Sequence, residues 1–507
     1  MLGLQTRDSV YIRHVQGPSR KFFLALGAIT LLGLSVRLAY TIGVRWDQKL
    51  WGDAFQYHWA ANGIAEGKWF YDWIPKSFSS SVEFARDAPE SWSRIAIPLG
   101  PSAGNPPLYP LYLAGWSFFG LDTYHWHMIA SVLLGTASVF VMGLVGREIV
   151  GPRTGLLAAG IAAVYANFWV HDAVGTAESM AILASAVMLL LAYRAWDQPT
   201  LRRVAALGAM GGVASLIRAE FVILLPMLVV ALIVRRLWDR PVRERLTFLV
   251  LPGVVALLVM SPWVIRNLVT FENPVLVSSD AGLSLAATNC DATYRGAALG
   301  WWDPSCVPGK TVVVRGKCKI LPLDSPVGLN RKNVCDPTES DALWRKRGVN
   351  YIEDHLGRLP VVLLARVGRM WEIYHPGSPY PWTGDPAPDQ KLNFDIIEGR
   401  SKEAARLALT HYYLLAPFVL AGIVILWRRR RPIAPLVSLV VLVTVAGMYS
   451  FGNTRYRALA EPALALLAAV AFDAFLTRCW DHRRARGDRK DPSSDPEPVG
   501  SVTTSAE

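Results

Sequence analysis

Residues 22 to 44, FFLALGAITLLGLSVRLAYTIGV, form an apolar run, and WGDAFQYHW follows at 51 to 59. At a helical rise of about 1.5 Å per residue, the run is long enough to cross a hydrocarbon core of about 30 Å. It decides the fold class, because a chain that continues in this manner has lipid as its main solvent. It also poses a question: a carboxylate, Asp53, stands among Trp51, Phe55, Tyr57, His58 and Trp59 where the first span meets the membrane surface. The run is too long, and its end too far from a small-residue cleavage site, for a removable signal peptide. It reads as a retained anchor.

The composition agrees. Over 507 residues, 52% are hydrophobic and only 18% charged, with a mean hydropathy of +0.27. These are values for a chain in a bilayer rather than for several soluble domains. A formal charge of +12 does not signal nucleic acid, since the Lys and Arg sit in short clusters between apolar runs. That is the pattern of cytoplasmic loops.

Further spanning runs lie at about 124 to 146, 154 to 170, 173 to 193, 203 to 217, 219 to 234, 246 to 265, 408 to 427, 433 to 451 and 457 to 476. With the first, the expectation is an all-α polytopic membrane protein of roughly ten helices. The pair around Arg218 is short, which leaves two spans or one broken span open. With residues 1–21 inside, Arg7, Arg13, Arg20 and Lys21, the WRRRRP cluster at 427 to 432 and RCWDHRRARGDRK at 478 to 490 all fall on the cytoplasmic side. NPPLYPLYLAGWSFFG, 105 to 120, would break this charge rule as a span, so it reads as an interfacial or re-entrant helix.

The organisation that follows is a first transmembrane helix at 22–44, an external loop with interfacial helices at 45–123 and transmembrane helices over 124–265. A second external segment takes 266–406, C-terminal transmembrane helices 407–477, and a disordered cytoplasmic tail 478–507. The expected location is the plasma membrane, with both termini cytoplasmic. Four of the five cysteines, Cys290, Cys306, Cys318 and Cys335, lie in the second external segment. An even set in an oxidising space reads as two disulfides. Of the three pairings, neighbour with neighbour closes the shortest loops, giving Cys290–Cys306 and Cys318–Cys335.

An enzyme working on the outer face finds no ATP there, so a group it transfers must arrive activated on a lipid. Sugar transfer from a lipid phosphate releases a stable anion, and the minimum apparatus is one general base plus cations for the phosphate. Asp53 is the candidate base, and it suits equally the N-cap of an amphipathic interfacial helix over AFQYHWAANGIAEG. Arg37, Arg266, Arg455 and Arg457 fall near the outer surface and offer planar forks for a phosphate; any one of them alone reads first as a contact to lipid head groups, and it is four at one leaflet that point to a phosphate site. Glu178 is the better of two membrane carboxylates, because Arg218 stands close enough to neutralise Glu220. Glu178, Tyr57 and His58 are candidates for the acceptor or sugar. His125 and His127, two apart on a helix, read as interfacial residues. Trp46, Trp51, Trp59, Trp69, Trp73, Trp92, Trp301 and Trp302 suit an interfacial belt as well as sugar stacking.

GDAFQYHWAANGIAEG, NPPLYPLYLAGWSFFG, TAES, IRAEFVILLP, SPWVIRNLVTFENPVLVSSDAGLSLAATN and TRYRALAEPALALLAA, taken in order from about 22 to 477, resemble the polytopic GT-C glycosyltransferases. The nearest groups are those of protein O-mannosyltransferases and lipid A aminoarabinose transferases. The resemblance implies a GT-C-like bundle, a polyprenyl-phosphate sugar donor and transfer with inversion. It also implies that Asp53 is the first-loop base, and that Arg266 and the segment from Arg455 to Arg457 line the donor pocket. Gly52 and Ala54 flank Asp53 where some members have two adjacent acidic residues, a departure that weakens a protein O-mannosyltransferase assignment and any metal requirement borrowed from it, and leaves a divalent ion open. The expected partners are the lipid-linked donor, a lipid, glycan or protein acceptor and membrane lipids, with no nucleic acid. The rival is a transporter or flippase of a lipid-linked sugar, which would place its polar site near the midplane.

Overall fold

The structure is a computed structural model, and it describes residues 19–47, 53–75, 96–327, 332–374 and 401–488. Trp51, Gly52 and Trp92, most of the N-terminal segment and the end of the C-terminal tail lie outside these residues.

Ser19 caps the first helix, α1 (Arg20–Tyr40), by accepting from Phe22 N at 3.2 Å, and a π-helical turn, Thr41–Arg45, extends it. Next come α2 (Asp53–Ala65), the antiparallel hairpin β1 (Tyr71–Pro75) and β2 (Ala96–Pro101), and α3 (Leu108–Phe118). The central helices are α4 (Tyr124–Ile149), α5 (Pro152–Val164), the single turn α6 (Ala166–Trp169), α7 (Glu178–Asp197), α8 (Leu201–Ser215), α9 (Phe221–Leu232) and α10 (Val242–Thr270). A small segment follows: α11 (Ala281–Ala287), α12 (Asp291–Tyr294), the hairpin β3 (Gly309–Val314) and β4 (Lys317–Pro322), α13 (Pro337–Asp354) and α14 (Leu359–Met370). The chain closes with α15 (Lys402–Arg428), α16 (Ala434–Tyr449) and α17 (Glu461–Asp488).

Among the described residues, six helical stretches are long and apolar enough to cross a membrane: Arg20–Arg45, Tyr124–Ile149, Glu178–Asp197, Val242–Thr270, Glu403–Arg428 and Thr454–His482. The protein is an integral membrane protein with a helical bundle. The other four expected runs are the shorter helices α5, α8, α9 and α16. The helix expected from residue 173 begins only at Glu178, because 170–177 is a turn centred on Gly175. Around Arg218 the chain forms two helices folded back on each other: a side chain at Gly211 would press on Leu225, which a continuous helix would hold far away. α3 has 11 residues, about 16 Å of helix and half the hydrocarbon thickness. α2 is not laid on a surface as its sequence suggests. Ala54, Tyr57, His58, Trp59 and Ala61 are buried, and its Tyr57 ring meets Tyr109 of α3 edge-on at 5.0 Å.

Lipid supplies no hydrophobic drive between helices, so close approach of backbones through small residues does the packing. Gly422 of α15 lies against the Leu467 carbonyl of α17, and Gly208 of α8 lies against Pro252 of α10, so closely that a Cβ at either position would collide. Gly422→Leu is expected to push α15 off α17 and destabilise the protein by at least about 1–3 kcal/mol. The check is the thermal unfolding midpoint in detergent; an unchanged midpoint would show that these helices do not meet there.

The small segment carries the bridges Cys290–Cys306 and Cys318–Cys335, with Cα separations of 5.4 and 5.5 Å. Two buried arginines of α14 hold it together, and one of them, Arg366, also ties it to the bundle. Arg366 donates to Thr288 O at 2.6 Å and to Met448 O, at the end of α16, at 2.8 Å, while Arg369 donates to Leu299 O at 2.6 Å. Gly452 N completes the seam by donating to Gly300 O at 2.9 Å.

Candidate active site

Four chain segments far apart in sequence meet at one end of the bundle. Asp53 opens α2 as its first helical residue, and Gly175, with φ +72°, takes a left-handed turn that leads into Glu178 at the start of α7. Arg218 stands in the tight connection between α8 and α9. Arg455 lies in the 3-10 turn Thr454–Ala460, which Asn453 caps by accepting from Arg455 N at 2.8 Å.

Their side chains form one chain of charges. Arg455 Nη1 is 2.7 Å from Asp53 Oδ2, and its Nε donates to Glu178 Oε1. Arg218 donates to the same Glu178 oxygen and, through Nη2, to Glu220 Oε1 at 3.1 Å. Tyr456 lies 5.5 Å beneath the Arg218 guanidinium and shares a 2.9 Å hydrogen bond with Ser450. Glu178 is fully buried, and its second oxygen, Oε2, has no hydrogen-bond partner. Asp53 is the open member, with 43% of its side chain exposed. A carboxylate held by one guanidinium at its exposed edge can take a proton from a group arriving from outside, since one of its oxygens carries the ion pair and the other remains to accept.

Tyr57 stands one helical turn from Asp53. Burial first, then the negative charges of Asp53 and Glu178, hold its hydroxyl well above the usual phenol range, so it is a neutral donor at any working pH. His58 turns the other way. Its Nδ1 lies 2.9 Å from His127 Nδ1, and His127 Nε2 lies 2.9 Å from Ser117 Oγ, which in turn donates to Asn62 at 2.6 Å. His58 therefore joins α2 to α3 and α4 rather than facing the Asp53 cluster. His127 is likewise buried in this network and not at an interface, whereas His125 stacks on Trp46 at 4.1 Å.

Burial pushes the His58 imidazolium down to about 3. An unfolded chain takes up that proton near pH 6.5 and the folded one does not, so this contribution is whole above about pH 6.5 and is lost as pH falls below it. At pH 5 the expected loss is about 2 kcal/mol. Unfolding midpoints at pH 7.5 and pH 5 test this, with His58→Gln as the comparison; an equal pH dependence in the variant would remove His58 as its source.

Of the four arginines expected to hold a phosphate, only Arg455 reaches the cluster. Arg37 does not snorkel to the surface: it is fully buried, pairs with Asp172 Oδ2 at 2.7 Å and donates to Ala162 O at 3.2 Å. Gly135 of α4 leaves the room that the Asp172 carboxylate occupies. Arg266 donates to Ser102 O at 2.9 Å and Phe70 O at 3.2 Å and stacks on Trp263, which fastens the β1–β2 hairpin to α10. Arg457 is buried between Glu461, at 2.7 Å, and the Tyr412 ring, at 3.9 Å. Sequence reasoning assigned Arg218 to Glu220 and missed its second bond to Glu178. It also missed Asp172 and Glu461, the carboxylates that neutralise Arg37 and Arg457. The spacing of Glu461 four residues after Arg457 was a usable signal; nothing local pointed to Asp172.

Among the described residues, no group of three or more His, Cys, Asp or Glu side chains is placed to hold a metal ion.

Residues 105–265 match the family described as dolichyl-phosphate-mannose-protein mannosyltransferase. That match carries the resemblance to the GT-C class. No curated protein sequence matches the chain. Among solved structures, the apo oligosaccharyltransferase of Archaeoglobus fulgidus is similar at 13% identity and a TM-score of 0.49, over 92% of this chain and 52% of that one. ArnT from Cupriavidus metallidurans bound to undecaprenyl phosphate is similar at 17% identity and a TM-score of 0.36, over 89% and 78%. The chain spans about half the length of the oligosaccharyltransferase.

Proposed function

We propose that this protein is a membrane glycosyltransferase that moves a sugar from a polyprenyl phosphate to a cell-envelope acceptor, at the outer face of the plasma membrane. The observation that carries the reading is the exposed Asp53 carboxylate, 2.7 Å from Arg455, at the open end of a charged cluster in which Glu178 is buried and Arg455, Arg218 and Glu220 are only partly exposed. The family match over 105–265 supports a polyprenyl-phosphate sugar as donor. The positive-inside rule supports the outward orientation: Arg147, Arg194, Arg235, Arg236 and Arg428 to Arg431 all stand at the helix ends opposite Asp53.

In this mechanism Asp53 accepts the proton of an acceptor hydroxyl as that oxygen forms its bond to the anomeric carbon. The bond from that carbon to the phosphate oxygen breaks, and the lipid phosphate leaves as an anion that needs no proton. Attack opposite the leaving group inverts the anomeric centre. Arg455, and Arg218 behind it, supply charge toward the phosphate; Glu178 fixes both guanidiniums, and Tyr57 donates from one turn along α2. The cluster is pre-organised, so little reorganisation is required as charge moves.

The test is sugar transfer by purified protein in nanodiscs, offered a panel of radiolabelled polyprenyl-phosphate sugars with an envelope extract. Label passing to an acceptor supports the reading. Donor left intact while labelled lipid changes leaflet in proteoliposomes would replace the enzyme with a carrier.

A further inference from the structure

The π-helical turn Thr41–Arg45 ends α1, and such turns often mark functional sites because they bring i and i+5 onto one face. Here they bring Tyr40 and Arg45 together, with Thr41 beside them. All three are buried, and the Tyr40 hydroxyl, the Thr41 Oγ1 and the Arg45 Nε have no hydrogen-bond partner. Buried polar groups are nearly always satisfied, so three orphans on one face need a reason. The Arg45 guanidinium lies beside the Tyr124 hydroxyl, which itself donates to Val174 O at 3.0 Å. No carboxylate stands within ion-pair distance of Arg45 among the described residues. In this it differs from Arg37, Arg455 and Arg457, each of which is held by an acidic side chain.

We propose that Arg45, Tyr40 and Thr41 form a site for the phosphate oxyanion of a lipid, separate from the Asp53 cluster. A guanidinium and two hydroxyls supply donors of the kind a phosphate accepts, and the charge the site lacks is one negative charge. Two features favour a phosphate carried on a lipid over one free in water. Arg45 is only 2% exposed, and the next residues around the turn, Ile42 and Val44, are 54% and 45% exposed on the outside of the bundle, where acyl chains run. A lipid packed along Ile42 and Val44 brings its phosphate to Arg45 without crossing bulk solvent. The proposal does not depend on glycosyl transfer.

The experiment uses full-length protein in detergent with dioleoyl phosphatidic acid added, and native mass spectrometry to measure retained lipid. Wild type is expected to keep phosphatidic acid. Arg45→Gln is expected to weaken retention at least about tenfold, the scale of a lost charged hydrogen bond, and Arg45→Lys is expected to weaken it less. Tyr40→Phe with Thr41→Val removes two hydroxyls and no charge, and is expected to weaken it several-fold; this guards against misfolding of the charge variant. Retention unchanged in Arg45→Gln, or lost in Arg455→Gln instead, overturns the proposal. Displacement of the lipid by an equal concentration of inorganic phosphate assigns the site to free phosphate and overturns the lipid source.

Discussion

Asp53→Asn is expected to cut sugar transfer at least about a hundredfold, the scale lost with a general base, while the protein remains folded. The amide keeps the size of the carboxylate and can still accept from Arg455 Nη1, which lies 2.7 Å from Asp53 Oδ2. It cannot take a proton. Because Asp53 is the exposed end of the cluster and Glu178 retains both guanidiniums, an unfolding midpoint close to that of wild type is expected. The rate should be measured at saturating donor, so that a change in binding does not pass for a change in chemistry. A variant that keeps a tenth or more of the rate limits Asp53 to opening α2 and moves the search for the base to Glu178 or Glu220.

The second large effect is on stability. Arg37→Met should destabilise the protein by about 3–5 kcal/mol, since it leaves the Asp172 carboxylate buried without its counter-charge. Both side chains are fully buried, and their 2.7 Å contact joins α1 to the 170–177 turn, beside the packing of Tyr40 with Val170 and Ala173. Replacing the pair together, Arg37→Met with Asp172→Leu, should recover most of the loss, because two apolar groups of similar size carry no desolvation penalty. Unfolding midpoints of the two single variants and the double variant close the cycle. Strictly additive losses would mean that the two groups do not support each other.

The positions of the ten helices were legible in the sequence because each run had to be apolar enough for lipid or for a crowded bundle interior. Helix starts were less so: nothing in HDAVGTAES announced that the turn would last until Glu178, because buried turn residues and buried helix residues have the same composition. At the site, Asp53, Glu178 and Arg455 were found by charge at one end of the helices. Which arginine faces which carboxylate was not, since the pairs Arg37–Asp172 and Arg455–Glu178 are 135 and 277 residues apart and depend on how helices turn about their axes. His58 shows the same limit: its place in an aromatic-rich helix suggested a ligand contact, whereas the helix's rotation turned it toward His127.

The distance along the chain between Glu178 and its two guanidiniums sets an order of events during synthesis. Arg218 is 40 residues from Glu178, and Arg455 is 277. As the ribosome feeds helices into the bilayer, Glu178 enters with Arg218 soon behind it, so its charge has an early companion in lipid. Asp53 waits for its partner until the turn that carries Arg455 has been made, 277 residues after Glu178. A nascent chain stalled before the 3-10 turn Thr454–Ala460 should therefore insert without trouble yet hold no assembled site, and Arg455 acts as the clasp that completes it.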